Sequence, residues 1–388
     1  MRENWTYKKL GEVAEIVMGQ SPAGASINEN TGIEFHQGKV FFGEKYLAYS
    51  DSKTSCPTKL AKAHSVLLCV RAPVGIVNIT ERDICIGRGL CAINGKDATT
   101  DFLFYALLSK RPYFEANSTG STFKAISSSI VKNALIPVPS PEDQQRIVKE
   151  LDTIHAILDK KNEQLRELDN LAQAIFVDMF GNPLHNDKGW ETKNLGDLSI
   201  TIANGYNAKL EPDTYKTEGI PYFRCQNIWW NRIDVSDLVY INEQTNEKMK
   251  SSSLKKNDLI ISKIGRVYTE NSSLGRTAIY EGEDFCANLS GNLCFVRLKD
   301  TICPKFVLSI LTFEEYRKWA MKNTPGGIDK RAMSVGQISK FPIILPPLPL
   351  QQEFAKRIEA IERQKELLRG SITETETLLA ARMQYYFE

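Results

Sequence analysis

Apolar residues recur at alternating spacings of four and three through Ile147, Leu151, Ile154, Leu158, Leu165, Leu168, Ala172, Ile175 and Met179, with Lys161 as a polar break. That is a heptad seam, and it predicts one long helix packed along a stripe. Ser140-Pro141-Glu142-Asp143 is a start signal: Ser as N-cap, Pro at the first helical position and an acid at the third. Gly181, with Pro183 just beyond, is a stop signal. A second seam runs through Phe354, Ile358, Ile361, Lys365, Leu368, Ile372, Thr375 and Leu379. Two such helices at equivalent places in one chain are expected to pair with each other as an antiparallel stem. About 38 residues at 1.5 Å each give it a length of roughly 57 Å. His155 falls beside the seam and is expected on its flank. Elsewhere the pattern is one of strands and loops. Residues 66–70 and 259–262 are short apolar runs of the kind that form buried strands. Residues 101–108 and 305–311 read as a matching pair of amphipathic helices.

The chain repeats itself. Trp5-Thr6-Tyr7-Lys8-Lys9-Leu10-Gly11-Glu12-Val13 matches Trp190-Glu191-Thr192-Lys193-Asn194-Leu195-Gly196-Asp197-Leu198, 185 positions on. Gln144-Gln145 matches Gln351-Gln352, 207 positions on, and on that register Ser127 meets Ser334, Pro139 meets Pro346 and Lys149 meets Lys356. The offset grows by 22 between the two registers, so the second half is expected to carry extra loop residues. The predicted class is α+β: two similar mixed α/β domains joined by two long antiparallel, coiled-coil-like helices, with an internal pseudo-two-fold repeat. The expected boundaries are 1–140 and 186–345 for the two lobes, with helical spacers over 141–185 and 346–388.

Charge refines this picture. Residues 142–180 carry 5 basic and 9 acidic side chains and residues 351–388 carry 6 and 7, so in a chain of net charge +2 the remainder carries +7. Basic lobes on an acidic stem suggest a polyanion as ligand, and nucleic acid is the usual one. The 388 residues, 42% hydrophobic and 25% charged, suit two well-packed domains and exclude a disordered chain. The apolar stretch 341–350 is broken by four prolines, and no apolar run reaches the ~18 residues of a membrane span. Met1-Arg2-Glu3-Asn4-Trp5 lacks the features of a signal peptide. The eight cysteines form no CxxC pair, so reduced thiols in a cytoplasmic protein are expected, not disulfides or metal ligands.

Tests for chemistry come out empty, and no catalytic or metal-binding residue is assigned. Gly87-Arg88-Gly89-Leu90-Cys91-Ala92 fits GxGxxA, but a dinucleotide site needs a helix there, and Ile93-Asn94-Gly95 turns the chain instead. Gly38-Lys39-Val40 lacks the Ser or Thr of a phosphate loop. The signature Asn-Pro-Pro-aromatic of amino-methyltransferases is absent, and His36, His64, His155 and His185 show no metal spacing.

Together these features resemble the specificity subunit of type I restriction-modification systems. The carriers are the Trp-x4-Leu-Gly-[Glu/Asp] opening of each half and the element before each stem helix. That element runs Gly120-Ser121-Thr122-Phe123-Lys124-Ala125-Ile126-Ser127, Ile136-Pro137-Val138-Pro139, Gln144-Gln145 in the first copy. In the second it runs Gly326-Gly327-Ile328-Asp329-Lys330-Arg331-Ala332-Met333-Ser334, Leu345-Pro346-Pro347, Gln351-Gln352. The second copy departs in having Pro325-Gly326-Gly327 where the family has Gly-Ser-Thr. The resemblance implies two target-recognition domains, each reading one half of a split site on double-stranded DNA. It implies helices that separate them and dock two methyltransferase subunits. It also implies restriction (motor) subunits, with S-adenosylmethionine, ATP and Mg held by the partners and none by this chain. Two other classes remain open: a self-contained nuclease or methyltransferase, and a DNA-binding scaffold outside restriction.

DNA-contact candidates are basic, amide, hydroxyl or aromatic residues of the lobes' loops. In the first lobe they are Lys39, Tyr46, Lys53, Arg71, Arg88, Ser121, Thr122 and Lys124. In the second they are Arg224, Gln226, Asn227, Trp230, Lys263, Arg266, Tyr268, Arg276, Lys330 and Arg331. Arg71 and Lys263 are expected to be equivalent, each following a strand. Of Trp229 and Trp230, one is expected in the core and one exposed.

Overall fold

The structure, a computed structural model, describes residues 5–28, 31–120, 124–206, 215–266, 269, 271–327 and 330–387. The chain divides into two compact units, residues 1–163 with 369–388, and residues 164–368.

The first unit is built on a four-stranded antiparallel sheet in the order Ala14–Met18, Leu90–Gly95, Ser65–Cys69, Val77–Thr80. The run 66–70 is a buried strand, as its apolar pattern predicts, because helix Thr100–Ser109 covers the sheet. That helix buries Phe102 through Leu107 on all sides, so it is a core helix and not an amphipathic one. A five-stranded sheet of short strands holds the one parallel pairing of this unit's described strands, Ile33–His36 beside Ile84–Ile86.

The second unit repeats the plan. Its sheet runs Ser199–Asn204, Leu293–Leu298, Leu259–Ser262, Thr277–Ile279, covered by helix Pro304–Thr312, and Ile220–Phe223 pairs in parallel with Asn288–Leu289. A β-bulge between Ser199 and Thr201 inserts Ile200, which is 65% exposed. That one residue moves the repeat offset from 185 at Ala14/Ser199 to 186 at Met18/Asn204.

The repeated motifs join lobe to helix. Leu10 and Leu195 are fully buried, and Gly11 and Gly196 sit where a Cβ would meet Lys132 and Ser339 at 3.2 and 2.1 Å. Thr6–Lys9 pairs with Leu135–Val138, and Thr192–Asn194 with Pro342–Ile344. The paired glutamines explain themselves in the same way. Gln144 is 1% exposed; its Oε1 accepts from Thr99 N at 2.9 Å and its Nε2 donates to the carbonyls of Asp97 and Pro139. Gln351 is fully buried, accepts from Cys303 N at 2.9 Å and donates to Pro346 O at 2.7 Å. Each glutamine thus pins the start of a lobe helix to the start of a stem helix. Gln351→Leu leaves two backbone groups without partners, and thermal unfolding should show a loss of about 1–3 kcal/mol for each.

The stem helices are Pro141–Phe180 and Leu348–Phe387. Ser140 Oγ accepts from Asp143 N at 3.2 Å as the N-cap, and Gly181 closes the first helix at φ +76°. In the first unit Ile147, Leu151, Ile154 and Leu158 are buried, and Ile147 and Leu151 pack with Leu379, Tyr386 and Phe387. Lys161 donates to Ser371 O, Ser371 Oγ and Thr375 Oγ1 at 2.7–3.0 Å. In the second unit Phe354, Ile358 and Ile361 are buried, with Leu168 packed against their cluster. There Lys365, 4% exposed, is held by Asp169 and Glu362. Low numbers meet high in both units, so each pair is antiparallel. Leu165, Leu368 and Ile372 are half-buried on this face.

The seam drifts at its end. Phe176 and Phe180 are the buried positions, while Ile175 and Met179 are only half-buried. A straight helix has 3.6 residues per turn and leaves a strict heptad by ~20° per repeat. His155 is also more than a flank residue. It stacks on Tyr105 at 5.7 Å, and burial lowers its pKa.

Candidate nucleic-acid interface

In each lobe, taken by itself, the four-stranded sheet ends on an equivalent loop cluster. In the first, Gly19 N donates to Leu90 O, Gln20 N to Ile86 O and Val70 N to Gly89 O, each at 2.9 Å. In the second, Gly205 N donates to Leu293 O, Tyr206 N to Leu289 O and Lys263 N to Asn292 O, at 2.9–3.0 Å. The hydrogen bonds match Gly19 with Gly205, Gln20 with Tyr206, and Val70 with Lys263.

On the first lobe this end of the sheet is cationic. Lys39, Arg71, Arg88 and Lys124 are all exposed, and none forms a salt bridge among the described residues. Their backbones are neighbours. A Cβ on Gly89 would stand 2.1 Å from Gln37 O and 3.8 Å from Gly38 Cα, and Gly89 O accepts from Val70 N. Arg71 bridges to Ala125, and Ala72 N donates to Lys124 O at 2.9 Å. Arg88 sits in the tight connection between Ile84–Ile86 and Leu90–Gly95, so the GxGxxA stretch opens a strand and not a helix. Four exposed cations on neighbouring stretches of backbone, with no salt-bridge partner among the described residues, suit a phosphate backbone. Two other candidates stand elsewhere. Tyr46 lies beside Lys45, whose ammonium is fixed by Asp101 and by Asp152 of the first stem helix. Lys53 is half-buried in a short strand of the five-stranded sheet. Ser121, Thr122 and Tyr268 lie outside the described residues.

The second lobe corrects the sequence reading more heavily. Lys263 is 9% exposed with its ammonium on Asn204 Oδ1, so it is a buried tie and not a surface contact. Nor is it the mate of Arg71. Ile126 N donates to Val70 O, and Met333 N donates to Lys263 O. Arg71 faces Ala125 as Ile264 faces Ala332. The expected equivalence is off by one residue, and one residue along a strand turns the side chain to the opposite face. Arg276 is 5% exposed: its guanidinium lies 3.7 Å from the Trp229 ring centre and donates to Ser272 O and Asn271 O. Burial lowers its pKa. Asn227 is 1% exposed and donates to Asp234 O at 3.0 Å. Arg224 and Gln226 are both bound to Asp237, and Arg331 to the carbonyls of Met321 and Thr324. These groups staple loops. Trp229 and Trp230 are both half-buried, with Arg317 3.3 Å above Trp230. Arg266 and Lys330 are exposed and face each other across a strand pair.

Sequence reasoning missed Gln20 and Tyr206. The signal was Met18-Gly19-Gln20 against Asn204-Gly205-Tyr206, hidden by the bulge at Ile200.

Comparison with known proteins agrees with this duplicated plan. The family model for the type I restriction modification DNA specificity domain matches residues 2–169 and again residues 187–377. The chain belongs to the type I restriction-modification DNA specificity family. Both lobes of this specificity protein fall inside a match. Two relatives from Methanocaldococcus jannaschii are named as type I restriction enzyme specificity subunits. The MjaX subunit is 36% identical over 181 residues, 45% of this chain and 42% of that one. The MjaIX subunit is 27% identical over 296 residues, 69% of this chain and 68% of that one. In fold, the chain resembles the type I system S subunit of M. genitalium, with a TM-score of 0.59 at 16% identity. That alignment covers 100% of this chain and 98% of the other. No helix of the described residues is long and apolar enough to cross a membrane.

Two outcomes separate the roles assigned above. Arg71→Ala should weaken DNA binding with little change in sequence preference and reduce the salt slope by about one. Lys263→Ala should lower the stability of the second unit by about 1–3 kcal/mol, read by thermal unfolding, without relaxing one base position.

Proposed function

We propose that this chain is the DNA-reading subunit of a type I restriction-modification complex and does no chemistry itself. Residues 1–140 and 186–345 each read one half of a split double-stranded site. The helical segments 141–185 and 346–388 set the distance between the halves and dock two methyltransferase subunits. Restriction (motor) subunits join that assembly in the cytoplasm. S-adenosylmethionine, ATP and Mg belong to the partners. The observation that carries this reading is the loop cluster at the sheet end, built twice on the same hydrogen bonds but with different side chains. A shared frame with different readers is what an asymmetric two-part site requires.

Methylome sequencing with and without this gene tests it. The predicted result is one split adenine-methylated motif that disappears with the gene. An unchanged methylome would contradict the reading. So would methylation or cutting of DNA by the purified chain alone, supplied with S-adenosylmethionine or Mg²⁺.

A further inference from the structure

Gln20 and Tyr206 occupy the same place in the two lobes, directly after a glycine at the end of the first sheet strand. Their backbone is fixed from two sides. A Cβ on Gly19 would stand 2.2 Å from Gly87 O, and a Cβ on Gly205 would stand 2.2 Å from Ser290 O. Only glycine admits so close an approach. The next residue is then locked by its own N–H, which donates to Ile86 O at 2.9 Å in one lobe and to Leu289 O at 3.0 Å in the other. Both side chains nevertheless reach solvent: Gln20 is exposed, and Tyr206 is 37% exposed. Among the described residues neither the amide nor the phenol has a hydrogen-bond partner. In the first lobe the neighbour is Arg88, whose N–H donates to Ser21 Oγ, so Gln20 stands beside one of the four exposed cations.

We propose that Gln20 and Tyr206 are matched specificity-determining residues, each reading a base edge in its own half-site, and that the Gln20 amide selects adenine. The inference rests on the function proposed above. A fixed backbone carrying an unpaired polar tip is the arrangement that direct readout needs, and in the first lobe Arg88 beside it is suited to phosphate. A glutamine amide fits adenine bidentately through N6 and N7, whereas a carboxylate accepts from cytosine N4. Different residues on identical frames give different half-sites.

The test is selection from a randomised duplex library by the full chain assembled with its methyltransferase subunits. If the unaltered complex enriches no split motif, the proposed function fails, whatever Gln20 does. If it does enrich one, Gln20→Ala should lose the preference for adenine at one position of one half by roughly 5- to 150-fold. Gln20→Glu should turn that position towards cytosine. Tyr206→Ala should relax one position of the other half only. Thermal unfolding of each variant should match the unaltered chain. Unchanged motifs, or a uniform loss of binding to all sequences, would overturn the assignment.

Discussion

Lengthening both stem helices by one heptad, after Glu163 and after Leu368, is expected to abolish methylation of the original site. It should move methylation to a site whose halves lie about three base pairs further apart. A heptad adds about 10.5 Å of helix, and B-DNA rises about 3.4 Å per base pair. The insertion points are the boundaries between the two compact units. Lys161 with Ser371 and Thr375 stays inside the first unit, and Lys365 with Asp169 and Glu362 stays inside the second. Each lobe therefore keeps its own packing. Lengthening one helix alone is a different experiment. It sets the heptad phase of one strand of the seam against an unlengthened partner, and should destabilise the chain. Methylome sequencing of the doubly lengthened protein reads the result directly. Methylation of the original spacing would show that the helices are not the ruler.

The second large effect is on stability. Phe180→Ala and Phe387→Ala are each expected to cost about 3–5 kcal/mol, by the loss of a buried aromatic and the cavity it leaves. Both residues are fully buried and end a stem helix 207 positions apart. Phe180 lies 4.8 Å from Phe306, 5.1 Å from Phe176 and 5.3 Å from Phe354, ring centre to ring centre. Phe387 lies 5.5 Å from Phe102, and its carbonyl accepts from Lys110 Nζ at 3.1 Å. Each lobe is thus closed by the end of the helix that begins at the other lobe. Denaturant unfolding should show Phe387→Ala acting on the first unit and Phe180→Ala on the second. A loss below about 1 kcal/mol would mean the helix ends do not complete the lobes.

Local signals were the ones legible in the sequence. The heptad seams, the Ser140 cap, the Gly181 stop and the buried strands at 66–70 and 259–262 follow from local patterns that packing reinforces. The paired glutamines could be aligned but not explained, because their partners Thr99 and Cys303 lie 45 and 48 residues away. Charge was the poorest guide to the site. Arg71, Arg88 and Lys124 are exposed, but Lys263 and Arg276 have the same composition signal and are buried on Asn204 and Trp229. A long cationic side chain beside a strand either faces water or finds an acceptor, and the alternation of the strand decides which. The Arg71 and Lys263 equivalence failed by that single step. Gln20 and Tyr206 escaped notice because one bulged residue broke the offset that would have aligned them.

Replacing residues 1–140 with the corresponding lobe of another specificity subunit, and sequencing the methylome, tests whether each lobe reads its own half-site. One half of the split motif should change, while the other half and the spacing stay as they were. A motif changed in both halves, or in neither, would contradict two independent readers on a shared stem.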